Sequence, residues 1–171
     1  APEYSDYQGK IVLDLSDSQQ LTAIGIFGDD HNNPDLETAI ENDMIGYGNQ
    51  DIYESTVGLN LRTLWGLSGY SNTSISYTAT KFIEDFRTTN TNVKLLKNHS
   101  HSESINFRNT NHFELGKRAS YEFGLETKFK RFDFDNIFYS TTDILGSITP
   151  ELTLNKKLTD SLLYLLSLMF V

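Results

Sequence analysis

The chain has 171 residues, enough for one domain with a sizeable core, and its 14 Lys and Arg against 23 Asp and Glu give a formal net charge of -9. That balance argues against a nucleic-acid binder, which needs a basic face, so no nucleic-acid partner is expected. The absence of cysteine excludes cysteine zinc sites, iron–sulfur clusters and disulfide scaffolds.

Mean hydropathy is -0.39. No run of about 18 apolar residues occurs, so a transmembrane helix is not expected. A transmembrane β-barrel leaves no such run, because lipid-facing and lumen-facing residues alternate. The opening Ala1-Pro2-Glu3-Tyr4 has neither the basic start nor the apolar core of a signal peptide.

Alternation dominates the chain from its start. In Tyr7 to Ser16 the positions Tyr7, Gly9, Ile11, Leu13 and Leu15 oppose Gln8, Lys10, Val12, Asp14 and Ser16. Asp17-Ser18 supplies a tight turn, and a second strand is expected over Gln20 to Gly28. The third runs from Glu54 to Leu67, with Val57, Leu59, Leu61 and Trp65 on one face and Thr56, Asn60 and Arg62 on the other. A turn at Gly69-Tyr70-Ser71-Asn72 leads into the fourth, Thr73 to Phe86. The fifth, Glu103 to Leu115, sets Ile105, Phe107 and Phe113 against Asn106, Arg108 and His112, and a turn is expected over Gly116 to Ala119. The sixth is the clearest: Tyr121, Phe123, Leu125 and Phe129 face one way, Glu122, Glu126, Lys128 and Lys130 the other. Leu158 to Val171 reads as a seventh strand, with Leu152 to Leu158 a short eighth on an alternative count.

The links near 17–19, 69–72 and 116–119 read as short, and those at 29–53, 87–102 and 135–157 as long and polar. Tight turns at one end and large loops at the other are the pattern of outer-membrane barrels. The expected strands, roughly 10 to 14 residues, exceed the usual 5–6 of globular proteins and suit a tilted crossing of about 9–11. The expectation is therefore an all-β, antiparallel up-and-down meander of seven or eight long strands, residues 1–171 forming one segment of a transmembrane β-barrel. An odd count, and a first strand starting at the long-loop end, place the segment in the middle of a larger barrel, with neither a plug domain nor a complete barrel. Two alternatives stay open: a small self-contained structural or adhesive outer-membrane barrel, and a soluble ligand-binding barrel or sandwich.

The stretch Pro2 to Ser16 with Asp6-Tyr7-Gln8-Gly9-Lys10-Ile11, followed by Gln20 to Asp30 with Gly25-Ile26-Phe27-Gly28-Asp29-Asp30, resembles a barrel hairpin of TonB-dependent receptors, most of all those of Bacteroidetes-like bacteria. Ile105 to Thr110 through Phe123 to Lys128 is similar to a later hairpin of such barrels. The resemblance implies a bacterial outer-membrane barrel of about 22 strands, filled by an N-terminal plug. It implies import of a scarce nutrient such as a ferric siderophore, driven by the TonB complex. Its partners would be membrane lipid, the remaining strands and plug of the same receptor, and TonB acting through an N-terminal segment outside these residues.

Candidate site residues follow from the pattern. Asp29-Asp30-His31 at the start of the first long link offers carboxylate and imidazole to a ligand, although adjacent positions rarely converge on one ion. His99 and His101 with Glu103, if extended, stand on one face. Lys10, Asp14, Arg62, Arg108, Glu122, Glu126, Lys128 and Lys130 form the expected lumen face, as a ligand path or as ordinary cross-strand pairs. Tyr4, Tyr7, Trp65, Tyr70 and Tyr121 are expected in interface girdles. No nucleophile elbow, metalloprotease helix or glycine-rich phosphate loop occurs, so neither enzymatic activity nor a resident metal or cofactor is expected.

Overall fold

The computed structural model describes residues 2–116, 119–142 and 146–170, the last strand beyond Leu163 by its backbone alone. β1 (Glu3–Ser16) turns through Asp17 and Ser18 into β2 (Gln19–Asn32), and the link that follows carries a short helix, α1 (Leu36–Glu41). Then come β3 (Gly46–Leu64), β4 (Gly69–Thr88), β5 (Lys94–Leu115) and β6 (Ala119–Phe138). A two-residue hairpin, β7 (Thr141–Thr142) with β8 (Ile148–Thr149), precedes β9 (Leu152–Phe170). The main sheet is an antiparallel meander in the order β1-β2-β3-β4-β5-β6-β9, each strand bonded to its neighbours in sequence. β1 and β9 are its two edges, so the sheet is open.

The turns at one end are tight, as their residues dictate. Ser18 N–H bonds the Ser16 hydroxyl at 3.3 Å, and the register slips between Asp14 and Ser16, leaving Leu15 as a bulge. Trp65 N–H donates to the Gly69 carbonyl at 2.8 Å, and Gly66 between them takes φ 59°, a left-handed value that glycine adopts without strain. This corrects the expected turn at 69–72, since Gly69 to Asn72 already belong to β4 and the turn is 65–68. At the next turn Gly116 has φ 73°, while Lys117 and Arg118 lie outside the described residues. At the opposite end α1 is capped by Asp35, whose carboxylate accepts from Thr38 N–H at 2.8 Å.

The long links are shorter than expected. The stretch 29–53 contracts to 33–45, 87–102 to 89–93, and 135–157 to 139–151. In two of the strands the apolar residues change phase while the pleat runs on unbroken. In β6 the apolar residues are odd-numbered up to Phe129 and even-numbered at Phe132 and Phe134, with Asp133 and Asp135 on the odd positions. β4 does the same: Ile75 and Tyr77 give way to Phe82 and Phe86, with Lys81 and Asp85 between. Alternation broken in phase looks like a strand end, yet the backbone ladder continues through it. β9 is one strand, so the main sheet has seven; Val171 lies outside the described residues.

Among the described residues no second layer packs on the sheet. Among the described residues the buried apolar side chains are Pro34 and Ala39, both in the link that carries α1, while Ile11 is 62 % exposed, Ile75 49 % and Phe129 52 %. A folded monomer of this mass exposes about 8,500 Å²; this chain exposes 12299 Å². The excess, roughly 3,800 Å², is the uncovered area of a sheet that shares its faces with nothing else.

Candidate functional site

Cross-strand register turns the seven strands into rows. Bulges aside, odd-numbered residues pair with odd and even with even across the whole sheet, so each parity owns one face. The two faces differ in chemistry and divide the candidate site between them.

On the odd face an apolar band occupies the half nearer the tight turns. Its upper rows read Gly9, Gly25, Val57, Tyr77, Ile105 and Phe129, then Ile11, Ala23, Leu59, Ile75 and Phe107. Leu13, Leu21, Leu61 and Leu125 continue it. Aromatic groups rim it on both sides: Tyr7 beside Phe27 above, and Phe113 beside Tyr121 below. Tyr7 and Tyr121, of the residues expected in girdles, stand in the rows that bound the band, Trp65 sits in the turn, and Tyr4 and Tyr70 belong to the even face.

One polar notch interrupts the band. Trp65 Nε1–H donates to Ser71 Oγ at 2.6 Å, Ser71 donates to Asn111 at 2.6 Å, Asn111 to Asn109 at 2.5 Å, and Asn109 to Thr73 at 2.8 Å. Each group bonds the next, which lowers the cost of holding them in an apolar setting.

Beyond the band, toward the long links, the odd face becomes a belt of charge. Six of the seven ion pairs among the described residues lie there. His31 sits between two carboxylates, with Nδ1 2.7 Å from Asp51 and Nε2 3.3 Å from Asp29. Ser5 bonds Asp29, and Asn49 bonds Asp51. The hydrogen bond to Asp51 raises the His31 pKa above its ordinary 6.5, against the opposing effect of partial burial, and Asp29 adds to the rise. Asp29 is lowered, first by the Ser5 hydroxyl and then by His31; Asp51 is lowered first by His31. Lys97 and Asp135, 2.6 Å apart, shift in opposite senses for the same reason, the lysine up and the carboxyl down.

The expected ligand set is therefore divided. Asp29 and His31 meet, but Asp30 points to the even face between Tyr4 and Ile52, because neighbours along a strand alternate. His99 and His101 share the odd face, as expected of an extended stretch, yet each holds its own acid: Asp85 at 2.8 Å and Glu103 at 3.2 Å. Among the described residues no group of three or more His, Asp or Glu is arranged to hold a metal ion. The partners Asp51, Asp85, Asp133, Asp135 and Lys157 were beyond sequence reasoning, since register alone brings them in.

The even face carries the whole expected lumen set. Lys10, Asp14, Arg62, Arg108, Glu122, Glu126, Lys128 and Lys130 all lie on it, with Ser74, Ser76, Thr78, Asn60 and Asn106 between them. Arg108 approaches Glu126 at 3.9 Å, and Gln20 donates to Asp14 at 2.9 Å. The side-chain oxygen of Asn106 is buried with no partner. At this face the chain can pair charges and bind polar groups.

No helix among the described residues is long and apolar enough to cross a membrane, which leaves crossing by strands untouched. No protein-family model, curated protein or solved structure matches the chain.

Proposed function

We propose that this chain is a stretch of wall of a transmembrane β-barrel in the bacterial outer membrane, within a TonB-dependent receptor that imports a scarce nutrient such as a ferric siderophore. The observation that carries the reading is the height of the apolar band. From the rim row of Glu103 to that of Phe113, β5 advances about 33 Å at ~3.3 Å per residue. Tilted by about 40°, as such strands are, that spans about 25 Å, the height of the apolar band in outer-membrane barrels.

The rest of the sheet fits the same picture. Lipid covers the odd-face band, which has no other cover in this chain, and the charged belt stands in water above it. The even face lines the lumen and meets the plug. Neighbouring strands of the same receptor bond the free edges of β1 and β9, because backbone groups at bilayer depth cannot stay unpaired. The wall positions and conducts; it catalyses nothing.

The test has two levels. Fractionation of cells expressing the full-length gene product should place it in the outer membrane, and a soluble product would refute the membrane reading. Deleting the gene should abolish TonB-dependent uptake of one ferric siderophore; unchanged uptake across a panel of iron and other scarce-nutrient complexes would refute the receptor reading.

A further inference from the structure

Two grooves lie one above the other on the odd face, in adjacent register rows. The lower one, about 730 Å³, is almost wholly apolar, walled by Ile11, Val57, Leu59, Ile75, Tyr77 and Ile105, and is opened by Gly9 and Gly25, which pair across β1 and β2. The upper one, about 450 Å³, sits at the boundary of band and belt, between Tyr7, Phe27 and Tyr53 on one side and Lys81 with His101 on the other. Small side chains, Ser55 and Ala79, separate the two.

Lys81 is out of keeping with the belt around it. Lys97 and Lys157, farther from the band, are neutralised by Asp135 and Asp133 at 2.6 and 2.8 Å. Among the described residues no carboxylate is within ion-pair distance of Lys81; its ammonium lies 5.9 Å from the Tyr53 ring instead. Of the acids that line the groove, Asp29 is engaged by Ser5 and His31, and Glu54 stands at an even position of β3, on the opposite face; Glu103, in the row below, is engaged by His101 and Tyr77. A cation with no ion pair in contact, felt only at longer range by Asp51, thus stands where apolar surface gives way to polar, directly above an apolar trough.

We propose that the two grooves together bind one anionic, phosphate-bearing lipid, its phosphate at Lys81 and its acyl chains in the lower groove. The inference rests on the membrane reading and deepens it: this part of the wall selects a lipid and is not merely wetted by lipid. Lysine serves a phosphate as a point charge, and a basic residue just outside the hydrocarbon region attracts anionic lipid. The apolar trough distinguishes a lipid from free phosphate, which has nothing to place there.

The test is native mass spectrometry of the full-length gene product in mild detergent, offered equal amounts of phosphatidylglycerol and phosphatidylcholine. The wild type should retain phosphatidylglycerol in preference. Lys81→Gln should cut that preference roughly fivefold, and Ser55→Leu, which fills the passage between the grooves, should reduce retention of both lipids. Lys156→Gln, on the even face, should change nothing. Equal retention by wild type and Lys81→Gln overturns the inference while leaving the membrane reading in place, as does displacement of the lipid by millimolar inorganic phosphate. A gene product that stays soluble without detergent and retains no lipid overturns both.

Discussion

Replacing Ile75 by arginine separates a lipid-covered face from a water-covered one. Ile75 lies on the odd face in the row of Leu59 and Phe107, two rows below the rim at Glu103 and three above the rim at Phe113. At ~6.7 Å per pair of residues and a tilt of about 40°, it sits about 10 Å below one edge of the band and about 15 Å above the other, close to mid-depth. Arginine at the midplane on the lipid face of a barrel costs about 2–4 kcal/mol. Ser74, one residue away, points to the even face opposite Asn60 and Arg108, where arginine meets water and polar groups but also a like charge directly across, and should cost no more than about 1 kcal/mol. The assay is guanidinium unfolding of the full-length gene product in phospholipid vesicles, comparing Ile75→Arg and Ser74→Arg with wild type. In water Ile75 is half exposed, so a soluble sheet would tolerate both changes alike. Equal midpoints for the two variants would refute the assignment of faces.

Three further outcomes follow from named contacts. His31 titrates above its ordinary value because Asp51 and Asp29 hold its charged form, so this stabilisation is complete below pH about 6.5 and fades as pH rises through the raised pKa. The lowered carboxyls give the opposite limit: their share is present above the ordinary 3.8 and is lost as pH falls through their depressed values. Proton NMR of the His31 ring should show its pKa fall in Asp51→Asn, and an unchanged value would show that the pair does not form. Asp35→Ala removes the cap of α1 and should cost that helix about 1 kcal/mol, seen as faster amide exchange at Thr38 with the sheet unaffected; no change in exchange would count against the cap. Gly66→Ala places a Cβ at φ 59° and should destabilise the 65–68 turn by about 1–2 kcal/mol, measured by denaturant unfolding, with a neutral result contradicting the turn geometry.

Strand type and connectivity were legible from the sequence wherever apolar residues kept one phase. Tyr121 to Phe129 marks β6, and Val57 to Leu61 marks β3, because period-two alternation has no helical counterpart. That Lys10, Asp14, Arg62, Arg108, Glu122, Glu126, Lys128 and Lys130 share one face was legible for the same reason, each residue being fixed to a face by its parity. The upper third of the sheet was not. There Phe82, Phe132 and Phe134 occupy the face that is polar lower down, while Lys81, Asp133 and Asp135 take the other, and 29–32, 46–53 and 94–102 are polar with no sustained alternation, so these stretches and 135–138 read as links. Their order comes from the ladder and from pairs such as His31 with Asp51 and Lys97 with Asp135, which join strands 20 and 38 residues apart. Such pairs exist only once register is set, and no local spacing announces them. The turn at 65–68 was misplaced for a smaller reason: Gly69 looks like a turn residue, but Gly66 is the one with left-handed φ.

The most direct test of the two-faced wall is a spin-label scan along β5, one cysteine at a time from position 103 to 113, in a chain that has no cysteine of its own. With the full-length gene product in membranes, collision with oxygen should peak at 105, 107 and 113, and collision with a water-soluble nickel chelate at 104, 106, 108 and 110. The two profiles should be out of phase with a period of two. Nickel accessibility that is high and equal at both parities would mean water on both faces and would contradict the membrane wall.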